Sequence, residues 1–83
     1  MPRLENWSVV EMGDTKHLSG QVFDHPHLED GEKVFTSRVQ SLDLKLMKAI
    51  TRHSDYTLGD PEPLWLTFLR DHCKNINDYG IEE

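Results

Sequence analysis

Three groups of side chains have types and spacings that bear on chemistry. The densest is Asp24-His25-Pro26-His27 with Glu29 and Asp30, which gathers two of the five histidines with three acidic residues. Histidines one residue apart can share a metal only from extended backbone, and a third ligand must come from the loop carboxylates or a distant histidine. No His-Glu-x-x-His or other metal spacing accompanies His25 and His27. A polar, proline-bearing loop is therefore the plainer reading, and a metal site the alternative. The second group is Arg38 and Arg52 with Thr36, Ser37, Thr51, Ser54 and Tyr56. Guanidinium pairs beside hydroxyl donors suit phosphate or carboxylate, provided that adjacent strands bring Arg38, Arg52, Ser54 and Tyr56 to one face. Otherwise they are cross-strand polar pairs on the wet face of a sheet. The third group, His72-Cys73, does not make a nucleophile. Neighbours on a helix point about 100° apart, and Cys73 falls on the apolar stripe of the last helix, where a thiol acts as a small hydrophobe. No serine sits in a nucleophile-elbow sequence and no phosphate loop is present, so the chain offers no catalytic constellation and no cofactor motif.

Turn signals cut the chain from Val22 to Gly59 into short β-type pieces. Trp7 to Met12 has strand composition, with Trp7 and Val9 available to a core, and Gly13-Asp14 turns the chain. Leu18, Gly20 and Val22 alternate with Ser19, Gln21 and Phe23, and Gly20 marks a bulge or a close crossing by another backbone. His25-Pro26 and Glu29-Asp30-Gly31 make a loop. Lys33 to Leu42 is the longest strand expected, with Phe35 and Val39 on one side, although Val34 breaks the alternation. Residues 42–53 fit either a helix capped by Ser41 or a hairpin turning near Asp43 to Lys45, and the flanking β-type pieces favour the hairpin. Asp55 to Leu58 closes the set. Asp60 then reads as an N-cap with Pro61 at the first helical position. An amphipathic helix of about four turns follows, burying Trp65, Phe68, Leu69, Cys73 and Ile76.

The expected fold is α+β: a small twisted antiparallel sheet or partly open barrel of about five short strands, with one C-terminal amphipathic helix laid on it. Eighty-three residues make one domain with one modest core, ordered over about residues 7–76. A single cysteine excludes a disulfide framework and fits a reducing compartment. The N-terminal residues lack a signal-peptide stretch and no run is long enough to cross a bilayer, so a cytoplasmic protein with no membrane partner is expected.

The net charge of −6 is unevenly spread. From Lys33 to Arg52 five basic residues face Asp43 alone, a local +4, while the rest holds four basic and fourteen acidic residues, or −10. An acidic pI near 5.2 argues against nucleic acid as partner, since the long-range field repels phosphate. The plainer reading is solvated strand faces and hairpin tips, and the alternative is a basic patch that meets an anionic partner protein or the acidic end of a second copy in a homodimer.

Taken together, Gly20-x-Val22-x-x-His25-Pro26, Asp30-Gly31, Val34-x-Thr36-Ser37, Thr51-Arg52-x-Ser54-x-Tyr56-x-Leu58-Gly59 and the trailing Trp65 resemble a group of small bacterial and phage-borne proteins with no assigned activity. The resemblance spans about residues 7–69 and implies a β-rich small domain of bacterial origin, with an extended Thr-Arg-x-Ser stretch. This chain departs from the group at Asp43-Leu44-Lys45, where a glycine-bearing turn is expected. The functional expectation is a non-enzymatic adaptor or inhibitor domain that meets a protein through its acidic surface or a sheet edge. The alternative is a small-anion or metal-binding protein using the Arg38, Arg52 and Tyr56 face or the His25 and His27 loop.

Overall fold

The computed structural model describes residues 2–79. Strands β1 (Arg3–Met12) and β2 (Thr15–Phe23) form a long hairpin turned at Gly13, whose φ of +61° suits a residue without a side chain. β3 (Glu32–Phe35) pairs antiparallel with β2. A second meander follows in β4 (Val39–Asp43), β5 (Lys48–Thr51) and β6 (Asp55–Leu58), and helix α1 (Pro63–Asp71) precedes a short 3-10 turn at Ile76–Tyr79. The strands lie in the order β3-β2-β1-β6-β5-β4.

The two meanders meet where β1 runs parallel to β6, with Arg3 beside Thr57 and Leu4 beside Leu58. The other strand-to-strand pairings are antiparallel, and an isolated parallel bridge joins Trp7 to Pro61. Following the directions round the sheet, β3 and β4 travel the same way, so residues 32–43 are one run bent at Thr36-Ser37-Arg38. A flat six-stranded sheet would hold its edges about 24 Å apart. The step from Phe35 to Val39 reaches at most about 14 Å. The sheet is therefore curled, and Cα atoms of β2 and β4 come within 8 Å of one another. It is not closed, because β3 and β4 remain its two edges.

This corrects the expectation of an all-antiparallel sheet of about five strands: six strands make a mixed, open sheet. The cause is the bend, which divides the long Lys33 to Leu42 strand in two. Five antiparallel passes of chain, an odd number, necessarily bring the first and last together in parallel. The bend also shifts the alternation, so Val34, Thr36, Val39 and Leu42 face inward while Phe35 is exposed on the opposite side. Residues 42–53 form the β4–β5 hairpin rather than a helix, turning at residues 44–47, where Asp43 Oδ1 accepts the amides of Lys45 and Leu46 at 2.9 and 3.0 Å.

Leu4, Trp7, Leu18, Val22 and Leu42 are fully enclosed in the concave side of the sheet. Asn6 and Trp7 together oppose Gly20 in a β-bulge, and a side chain at position 20 would press on Glu5 O at 2.8 Å and Trp7 Cα at 3.1 Å. The bulge sends Trp7 inward, where its Nε1 donates to Gly59 O at 2.8 Å and its ring meets Trp65 at 5.5 Å.

The helix begins and ends elsewhere than expected. Residues 59–62 are held as an extended strip along β1, with Gly59 N donating to Leu4 O and Glu62 N to Trp7 O, both at 2.8 Å. The first turn therefore starts at Pro63, and the carboxylate of Glu62, not Asp60, caps it by accepting Trp65 N at 2.8 Å. The helix stops after nine residues because Cys73 takes a left-handed φ of +54°. Cys73 N donates to Arg70 O and Lys74 N to Leu69 O, which is a Schellman closure. So short a helix buries Trp65 and Leu69 only; Phe68 and Cys73, both expected inside, are exposed. Among the described residues no helix is long and apolar enough to cross a membrane.

Candidate functional site

The bend at Thr36-Ser37-Arg38 and the β5–β6 turn at Thr51-Arg52-His53-Ser54 lie against each other, and their hydroxyls are spent on backbone. Thr36 is buried: its amide donates to Leu18 O at 2.8 Å, and its Oγ1 accepts from Leu18 N at 2.9 Å and donates to Ser37 O at 2.9 Å. Thr51, also buried, donates from Oγ1 to Ser54 O at 2.6 Å and accepts from Ser54 N at 3.1 Å. The two segments are joined by His53 N to Ser37 Oγ at 3.2 Å and by Arg52 N to Arg38 O at 3.0 Å.

Val39 pairs with Thr51, and both face the core. Just beyond this pair, Arg38 and Arg52 adjoin through the backbone bond from Arg52 N to Arg38 O, and both are exposed. Neither makes an ion pair among the described residues. Tyr56 does not join them. It lies beside Ala49 on the inner face, 6% exposed, because β6 alternates Asp55 and Thr57 outward with Tyr56 and Leu58 inward. Ser54 is half-buried and lies instead along a neighbouring groove.

That groove, open and of about 340 Å³, is lined by Pro2, His25, Pro26, His27, Ser54 and Asp55. It brings both histidines together, with ring centres 6.0 Å apart, but His25 Nδ1 already accepts the backbone amide of His27 at 3.0 Å. The nearby loop acids are similarly occupied: Asp30 Oδ1 accepts Asp24 N at 2.9 Å, Glu32 accepts Glu29 N at 3.3 Å, and Asp24 meets Arg3 at 3.4 Å. Among the described residues no three His, Cys, Asp or Glu side chains form a group that could hold a metal ion.

A third surface was not legible in the residue pattern. On α1, Leu64 is 77% exposed and Phe68 44%, one turn apart on the same flank, and Leu66 is exposed on the other. The His72 ring lies tilted against Phe68 with the ring centres 4.2 Å apart, and the Lys74 ammonium sits 5.8 Å from the centre of the same Phe68 ring. The signal available in the sequence was the i, i+4 spacing of Leu64 and Phe68. Phe68 also fits the apolar stripe with Trp65 and Leu69, which hides that spacing.

Comparison with protein-family models, with curated proteins and with solved structures finds no match to this chain.

Proposed function

We propose that this chain is a small non-enzymatic protein-interaction domain, an adaptor or inhibitor of bacterial or phage origin working in the cytoplasm, and that α1 is its contact element. The observation that carries the reading is the apolar arc of α1, which is wider than the strip the sheet covers. Leu64 and Phe68 lie outside that strip with Leu66 across from them, rimmed by His72 and Lys74. An aromatic anchor with an aliphatic neighbour and a cationic rim has the composition of an interface centre. The exposed edge of β3 is too short, at four residues, and too charged through Glu32 and Lys33 to be the main contact.

The test is a cross-linking pull-down from cells of the source organism with the wild-type chain and with the double variant Leu64→Asp, Phe68→Asp. Both positions are exposed, so the variant keeps the wild-type circular dichroism and its stability within about 0.5 kcal/mol. Capture of a defined partner is lost. Equal capture by the two proteins removes α1 as the contact. Sedimentation of the wild-type chain alone shows whether that partner is a second copy.

A further inference from the structure

We infer that the Arg38–Arg52 pair is a binding site for a phosphate monoester group. Directly opposed side chains on an antiparallel pair have Cβ atoms about 5 Å apart, and like charges there destabilise the sheet. The chain carries fifteen acidic residues, yet none forms an ion pair with either guanidinium among the described residues. Asp55, the carboxylate nearest along the ladder, stands opposite Ile50 rather than either arginine. Two exposed arginines are thus neighbours across a backbone hydrogen bond, on turns that Thr36, Ser37 and Thr51 each tie down through a hydroxyl. The exposed His53 follows Arg52 in the same turn.

Two guanidinium forks carry a charge of +2 and parallel N–H donors. A single carboxylate neutralises one of them. A phosphate monoester, with close to two negative charges near neutral pH and three terminal oxygens, can accept from both. The net charge of −6 excludes extended polyanions by long-range repulsion but acts less on a compact group, because such fields are screened within about 8 Å at physiological salt. The phosphate can arrive free, on a small metabolite, or on a phosphorylated side chain of a partner protein; the chemistry at Arg38 and Arg52 is the same. The site is on different elements from the α1 contact, so either reading can fail alone.

The experiment is a titration of isotope-labelled protein, at constant ionic strength, with inorganic phosphate, O-phosphoserine, a short phosphoserine peptide and acetate, followed by NMR at the arginine Nε–H groups and at the amides of residues 37–39 and 51–54. Saturable shifts at these positions are expected for the three phosphates, with acetate at least fivefold weaker. The response is lost in Arg38→Gln and in Arg52→Gln. A tenfold tighter peptide assigns the phosphate to a protein partner, and equal affinities assign it to a small molecule. Both variants also melt at or above the wild-type temperature at low salt, since each relieves the like-charge contact. Equal, unsaturated responses to phosphate and acetate overturn the site, as does a response that survives Arg52→Gln.

Discussion

At the scale of single residues, Thr36 substitutes a side chain for a backbone. Leu18 N–H meets Thr36 Oγ1 where a continuing ladder would offer a carbonyl, while the Thr36 carbonyl is turned to His17 Nδ1 at 3.0 Å. The strand can then leave β2 without stranding a buried donor. Thr36→Val keeps the shape and removes the acceptor, so Leu18 N–H is left unpaired and stability falls by about 1–3 kcal/mol. Urea unfolding measures this as a lower midpoint at unchanged slope, and Thr36→Ser, which retains the hydroxyl, loses less. At this scale much was legible. Gly20 was readable as the partner of a bulge because only a missing Cβ permits that approach. Tyr56 was misplaced because spacing along a strand gives alternation but not which phase faces the core.

At the scale of elements, the β1–β2 hairpin and the β4–β5 hairpin followed from alternation and flanking turns, whereas the bend in the third run and the limits of α1 did not. Nothing in residues 33–42 except the misfit of Val34 announces the change of phase, since the bend is made by hydrogen bonds to segments remote in sequence. Similarly, Asp60 and Pro61 have the composition of a helix start, but the pairing of the 59–62 strip with β1 outweighs local propensity. The end of α1 makes a prediction of its own. A left-handed conformation at a non-glycine residue costs about 1 kcal/mol or more, and the exposed Cys73 supplies no buried contact to offset it. Cys73→Gly therefore stabilises the protein by about 1 kcal/mol, seen as a thermal midpoint raised by roughly 4–8 °C.

At the scale of the whole molecule, the parallel β1–β6 pair governs the order of assembly. The two hairpins and the bent run between them need only local turns, but joining Leu4 to Leu58 closes a loop of more than fifty residues around a seam of two ladder positions continued by the 59–62 strip. Loop-closure entropy makes this a late event, after both meanders exist. Leu58→Ala, at the seam, should accordingly leave refolding within about twofold and speed unfolding by about thirtyfold for a 2 kcal/mol loss. Leu18→Ala, within the first hairpin, slows refolding instead. Stopped-flow chevrons distinguish these cases. A refolding rate that falls as steeply for Leu58→Ala would place the seam in the nucleus. If the seam is the last part to zip, it is also the first to part, and opening there releases Trp7 and Trp65 from each other while the two meanders stay folded.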